Sequence, residues 1–410
     1  MKWLERINPL YIETRMTPLV SQMMFFLMYA GYLVCRTMML TTLRYESDYA
    51  RGTRYVLWIC FLVAVFIVVF LCKYTVWQVL VIALLTVVFL KIYWVTSKQE
   101  YFFLQSIMIV FAARETKWTN ILKFTLVAFL AFIGGIILLS LTGEISTVES
   151  YRGDKLRLSL GFSHPNSFAM YLLCVIFMWV LLRFEHLRIY DYVVWGAIAA
   201  FTWWGPNSKA TTFSILLLMF LVWILKRWGT YLLKNNLVRG ACLCMYPLMA
   251  LFSFLGSYFY QKDNVLCTKV DKILFTGRLG YAHEFLLKYP ITLFGQKIKL
   301  IGSLVAQQKG TTAYILDNFY MRTLINSGVI AFILMLVMFV FLTHRAIQMN
   351  DKGMLAVLMI MAVYSVYENY FNRVGFNILF FQLCFQLFRT VESGSSDLQV
   401  KGKSAKEYAK

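Results

Sequence analysis

Charge is scarce in this chain of 410 residues, and acid is scarcer still. Only 15% of positions are Asp, Glu, Lys or Arg, and 20 acidic residues stand against 40 basic ones. A soluble domain carries charge at about a quarter of its positions, so this composition excludes one. The eight cysteines form no framework, because most lie inside apolar runs where a thiol packs as a small hydrophobe. Cys242 and Cys244, one residue apart on a helix, point in different directions and make no metal pair. Cys267 is alone in a polar connection. No cluster of His, Cys, Asp and Glu has metal-ligand spacing, so neither a metal nor another cofactor is expected. Internal repeats and low-complexity linkers are also missing, which leaves a single domain.

What is abundant is apolar. Sixty per cent of residues are hydrophobic and 17% aromatic, and mean hydropathy is +0.65. Runs close to the ~20 residues needed to cross about 30 Å of hydrocarbon recur from end to end. Twelve spans are expected, at 17–35, 55–72, 75–94, 101–113, 120–141, 166–184, 190–204, 211–227, 239–260, 320–342, 353–369 and 375–389. Within hydrocarbon the backbone must satisfy its own hydrogen bonds, so the spans are helices and the fold is all-α. The expected architecture is one polytopic membrane domain over 1–390, with a polar cytoplasmic tail at 391–410. The basic N-terminus runs into a long span without a small-residue cleavage site, so no cleaved leader is expected.

The net charge of +20 would suggest nucleic acid in a soluble protein. Here much of it sits in short connections such as "ARETKW", "LRFEHLR", "KRWGTYLLKNNLVR" and "THRAIQMNDK". That pattern fits the positive-inside rule with both termini cytoplasmic. Nucleic acid is therefore not an expected partner, and membrane lipids are. Three connections that the same topology turns outward, 36–54, 142–165 and 261–319, are basic as well. They carry Arg36, Arg44, Arg51 and Arg54, then Arg152, Lys155 and Arg157, then Arg278 and seven lysines. Any single lysine there can be ordinary solvated charge. The arginines as a group suit phosphate, because a planar guanidinium can grip two oxygens at once.

Three outward helix starts bear polar punctuation: "SHPNSF" at 163–168, "GPNSKATT" at 205–212 and "LDNFY" at 316–320. Unpaired backbone N–H groups and the positive end of the helix dipole favour anions at such starts. Pro165 suits a first helical turn, with His164 or Ser163 as cap, and Ser208 and Asp317 are good caps. Each of these residues can be a cap and nothing more. Further along, Glu368, Asn369, Asn372 and Arg373 form a polar cluster at a span edge that is either interfacial or part of a site. His186 and His344 read as solvated turn residues, and His283 with Glu284 as surface.

Four stretches together resemble the Wzy-type polysaccharide polymerases, which belong to the O-antigen ligase-like membrane glycosyltransferases. "LRLSLGFSHPNSFAMYLL" is similar to their element ending in His-Pro-Asn. "TGRLGYAHEFLLKYPITLFGQKI" resembles the stretch of their large external loop that begins Gly-Arg and ends Phe-Gly. "ILDNFYMRTLINSGVIAFIL" resembles their Asp-Asn-x-Tyr element, and "PNSKATTFSILLLMF" their Ser-Arg helix start. Departures are Lys209 where the family has arginine, "FGQK" without a second glycine, and Asp317 where the ligases have histidine. The resemblance implies a bacterial plasma-membrane enzyme with an outward-facing site. It would transfer a glycan chain from undecaprenyl diphosphate to the non-reducing end of a lipid-linked repeat unit. A flippase and a chain-length regulator of the same pathway are implied partners. On this reading Asp317 is the base and His164 the second choice. Arg152, Arg157, Arg278 and Lys209 hold diphosphate, and Asn166, Asn318 and Tyr320 complete substrate binding. Two alternatives stay open: a ligase moving finished glycan to another acceptor, and a lipid-linked oligosaccharide flippase.

Overall fold

The computed structural model describes residues 4–45, 47–152, 154–302, 305–306, 310–311 and 313–387. The expected tail at 391–410 and Lys309 lie outside them. The described chain is mostly helical. Eight of its helices are long and apolar enough to cross a membrane: Thr17–Met38, Asp48–Leu71, Val76–Val95, Trp118–Leu141, Pro165–His186, Lys209–Leu232, Asn236–Tyr258 and Phe319–Gln348. The other four expected spans coincide with shorter helices, namely Tyr101–Ala112, Ile189–Trp204, Lys352–Tyr364 and Ile378–Leu387.

Two of the short helices, Tyr101–Ala112 and Lys352–Tyr364, occupy the centre. Phe102 to Ala112 are all buried, as are Gly353 to Ala362, so these helices are apolar on every face because every face meets protein. The long helices surround them. Trp118–Leu141 and Asn236–Tyr258 bury only 22% and 17% of their apolar windows, and Leu27, Leu84, Val127 and Leu138 stand exposed along the perimeter. Twelve residues at 1.5 Å each make about 18 Å of helix, well short of a hydrocarbon layer. Central helices of this length leave a recess at one end of the bundle.

The expected span 353–369 is a case in point, since its helix stops at Tyr364. The Ser365 carbonyl accepts from Phe319 N at 2.9 Å, and residues 365–377 cross the recess in an irregular path. The stretch mixes buried apolar residues such as Phe371 and Val374 with polar ones, among which Glu368 and Tyr370 find side-chain partners from the Pro165–Arg183 helix.

Connections at the recess end are ordered. Ser150–Arg152 and Lys155–Arg157 pair as an antiparallel ribbon, with Ser150 opposite Arg157 and Arg152 opposite Lys155. The two-residue repeat puts these four side chains on one face and Tyr151 and Leu156 on the other. The described residues between 259 and 318 form a cap with helices Val265–Val270 and Arg278–Lys288. Its small apolar core joins Ala282, Phe285 and Ile298 to Leu316, Met321 and Ile325. Gln99 fastens the cap to the bundle by donating to the Ile298 carbonyl at 2.8 Å and accepting from Ile298 N at 3.1 Å.

Gly295 and Gly328, both at positive φ, meet backbone to backbone at the edge of the cap. A Cβ on Gly295 would overlap the Asn326 carbonyl, and one on Gly328 would overlap Gly295 N. Gly295→Ala or Gly328→Ala should destabilise the purified protein by at least ~2 kcal/mol, the scale of forced packing and left-handed strain. Gly240→Ala, whose Cβ would meet nothing within 4 Å, should leave thermal unfolding in detergent unchanged. Equal behaviour of the three variants would contradict the close approach.

Candidate functional site

The recess holds a cavity of about 460 Å³ with two kinds of wall. One kind is formed by His164, Asp317 and Glu368. The other is formed by Arg36, Arg44, Arg322 and Arg373, with Tyr101 hydrogen-bonded to Arg36.

Glu368 is the hub of the first wall. Its Oε1 accepts from Asn166 Nδ2 at 2.6 Å and from Arg278 Nη2 at 2.9 Å. Asn166 Oδ1 in turn accepts from Arg157 Nη2 at 2.6 Å. Arg157 is anchored by its Nε to the Pro206 carbonyl at 2.8 Å, and Arg278 by its Nε to the Tyr367 carbonyl at 2.9 Å. Arg278 also reaches Asp317, with Nη2 3.7 Å from Oδ2. Burial pushes the Glu368 carboxyl up to about 7, although Arg278 pulls it the other way. Burial lowers Arg157 to about 10, and neighbouring Arg152 adds to the effect, so Arg157 remains a cation at neutral pH. Arg278 loses stability as a cation through burial, but Glu368 and Asp317 outweigh that loss and raise it above its ordinary value.

His164 caps the Pro165 helix: its Nδ1 accepts the Asn166 backbone N–H at 3.1 Å. Burial, then Arg157, Arg278 and Arg152, lower it to about 3, and the ring is neutral. Ser167 Oγ and the Tyr370 hydroxyl, 3.0 Å apart, close the floor beside it.

The second wall is a concentration of positive charge with spare donors. Arg36 Nη1 donates to the Tyr101 hydroxyl at 2.8 Å. Arg373 lies over the Phe102 and Tyr370 rings at 5.1 and 5.9 Å, and burial followed by Arg36 lowers it to about 10. Arg322 Nε is 4.0 Å from Glu100 Oε1, and the Asn326 side-chain amide donates to the same oxygen. Burial raises the Glu100 carboxyl, against the pull of Arg322. The Nε atoms of Arg36, Arg322 and Arg373 are buried without a hydrogen-bond partner among the described residues. Each guanidinium has five donors, so this wall is undersaturated. These Nε atoms are enclosed and do not open on the cavity, but cations gathered around one space favour an anion in it.

Several expected site residues therefore fall elsewhere. Arg152, Arg157 and Arg278 do not face the cavity as free ligands. They donate to the Asn207 carbonyl at 2.9 Å, to Pro206 and Asn166, and to Tyr367 and Glu368 respectively. Lys209 is exposed and lines no part of the cavity. Asp317 is not the cap of its helix, because Asn318 takes that position with Oδ1 accepting from Met321 N at 3.0 Å. The Asp317 carboxylate turns to Arg278 instead. Ser208 likewise gives no side-chain cap; its hydroxyl sits 3.1 Å from that of Thr211. Asn318 is fully buried and donates to Ser253 Oγ at 3.1 Å. Tyr320 is fully buried too, with its hydroxyl donating to the Ala362 carbonyl at 2.9 Å. Neither side chain is free to meet a ligand.

Sequence reasoning missed Arg322, Glu100 and Tyr101. A signal existed for Arg322, since it is a charge two residues inside an expected apolar span. Glu100 and Tyr101 gave no comparable sign.

The geometry makes Asn166 the joint between Glu368 and Arg157. Asn166→Ala leaves a buried carboxylate and a buried guanidinium each short of a partner, and should cost ~1–3 kcal/mol in detergent unfolding. Lys209→Ala should leave unfolding unchanged. A neutral Asn166→Ala would show that the two charges do not depend on this amide.

Comparison of the chain with protein-family models, with curated proteins and with solved structures finds no match.

Proposed function

We propose that the protein is a membrane glycosyltransferase of bacterial polysaccharide assembly. It extends a glycan by transferring the chain from undecaprenyl diphosphate to a lipid-linked repeat unit at the outer face of the plasma membrane. The observation that carries this reading is a single cavity lined both by the carboxylates Asp317 and Glu368 and by four arginines. Glycosyl transfer from a polyprenyl diphosphate needs both. Charge accumulates on the departing diphosphate, and a proton leaves the attacking hydroxyl.

In this reading the diphosphate lies among Arg36, Arg44, Arg322 and Arg373, whose preorganised charge does most of the catalytic work. The acceptor hydroxyl attacks the anomeric carbon while the bond from that carbon to the diphosphate oxygen breaks. The bonding electrons leave with the diphosphate, and the hydroxyl proton passes to a carboxylate. Glu368 is the better proton acceptor of the two, because burial holds its carboxyl near neutrality, at about 7. Its Oε1 is held by two donors, which leaves Oε2 for the substrate. Asp317, paired with Arg278, positions that guanidinium. The proposal includes twelve crossings, cytoplasmic termini and an outward cavity. Cysteine introduced by Gly310→Cys in a cysteine-free background should then be labelled from outside by an impermeant thiol reagent, and Asn235→Cys should not.

The direct test incubates purified protein with a lipid-linked repeat unit and looks for chain ladders. Ladders are expected from the wild type. Transfer of a single chain to another acceptor would favour a ligase, and movement of the lipid without bond formation a flippase. A general base contributes about 10²–10⁴-fold, so Glu368→Gln should lower the rate by at least ~10²-fold. Asp317→Asn should lower it less. Glu368 accepts a proton only when ionised, so the rate should rise with pH through about 7 and fall below it. A Glu368→Gln protein that builds normal ladders would remove Glu368 from the chemistry.

A further inference from the structure

Histidine beside a sugar hydroxyl is ordinarily read as a proton acceptor. The geometry around His164 points to a different role. The backbone N–H of Asn166 donates to Nδ1 at 3.1 Å, and an acceptor nitrogen cannot itself carry hydrogen. A neutral imidazole with Nδ1 unprotonated must hold its proton on Nε2. The capping bond therefore selects one tautomer.

The backbone makes that selection permanent. His164 is extended, at φ −156° and ψ 140°, and precedes Pro165, the first residue of the helix. A residue before proline is confined to extended conformations, and extended is also what a helix cap requires. The ring cannot turn away without exposing a helical N–H. His164 lines the cavity, and with Nδ1 turned to the backbone its Nε2 is left without a hydrogen-bond partner among the described residues. The charges around the ring are Arg152 and Arg157 from the ribbon and Arg278 from the cap helix. The carboxylates of Glu368 and Asp317 are both within reach of Arg278. The cations oppose a second proton on the ring, so it stays uncharged across the ordinary pH range.

We propose that His164 presents Nε2–H to the cavity as a fixed, uncharged hydrogen-bond donor to an oxygen of a bound phosphoryl or glycosyl group. It takes no proton itself. A neutral donor can grip an oxygen without adding to the repulsion among the arginines of the cavity. The tautomer follows from the geometry alone, while the class of ligand rests on the functional reading above.

The test has two arms on the full-length protein in detergent or nanodiscs. The first labels histidine rings with ¹⁵N and identifies His164 by the signal lost in His164→Asn. One ring nitrogen should appear unprotonated and the other protonated, unchanged between pH 8 and 5. A titration in that window, or a proton on Nδ1, would overturn the proposal. The second arm measures binding of undecaprenyl diphosphate. Asn at 164 can keep the capping oxygen but offers nothing at the Nε2 position, whereas the longer Gln can place an N–H there. His164→Asn should weaken binding ~5–10-fold, as expected for one lost hydrogen bond. His164→Gln should recover to within about 3-fold of the wild type, less the cost of the lost cap. Wild-type affinity in His164→Asn would overturn the proposal even if that tautomer is found. If the wild type itself does not bind undecaprenyl diphosphate, the functional reading fails, and the ring spectra still decide whether His164 is a fixed neutral donor.

Discussion

The Glu368 carboxylate joins four pieces of chain drawn from three distant regions of the sequence. Asn166 brings the start of the Pro165 helix to it, and Arg278 brings the cap. Through Asn166 it reaches Arg157 and so the ribbon, which is itself tied to Pro206. The carboxylate belongs to the irregular crossing at 365–377. A buried charge is tolerated only when its neighbours satisfy it, and removing one partner strands the others. This requirement fixes where the ribbon, the cap and the crossing sit relative to one another, and so it defines the wall of the cavity. Burial, with Asp317 nearby, holds the Glu368 carboxyl up at about 7 against the pull of Arg278.

The cavity exists because the centre of the bundle is short. Tyr101–Ala112 and Lys352–Tyr364 are sealed on all sides by longer helices, and they end before the bundle does. The space above them is lined by what their ends carry: Tyr101 on one helix, and Glu368, Asn369, Tyr370 and Arg373 after the other. Arginines from the Thr17–Met38 and Phe319–Gln348 helices complete it. The cap, clamped by Gln99 and by the Gly295–Gly328 contact, covers this space and contributes Leu300 and Leu316 to its lining.

Hydropathy revealed the membrane character and the helices, because length and apolarity are local properties of the chain. Which helices are central was not readable, since a buried helix and a lipid-facing helix are equally apolar; Tyr101–Ala112 showed only as a short run. Pro165 and His164 were legible as a helix start, as proline fixes φ and histidine offers an acceptor. Asp317 misled. By composition it is as good a cap as Asn318, and only the position of Arg278, 39 residues earlier in the sequence, shows why the asparagine does the capping. The arginines divided in a way that sequence could not foretell. Arg152, Arg157 and Arg278 meet carbonyls and a carboxylate, while Arg36, Arg322 and Arg373 keep donors unmet.

That division is the centre of the account, for the proposed seat of an anionic headgroup depends on it. The most direct measurement is an experimental structure of the protein in nanodiscs with undecaprenyl diphosphate bound. The account predicts phosphate density within hydrogen-bonding distance of Arg36, Arg322 and Arg373, with Glu368 facing the side where the sugar would attach. Density held instead by Lys209 and Arg152, or a cavity that stays empty at saturating lipid, would contradict it.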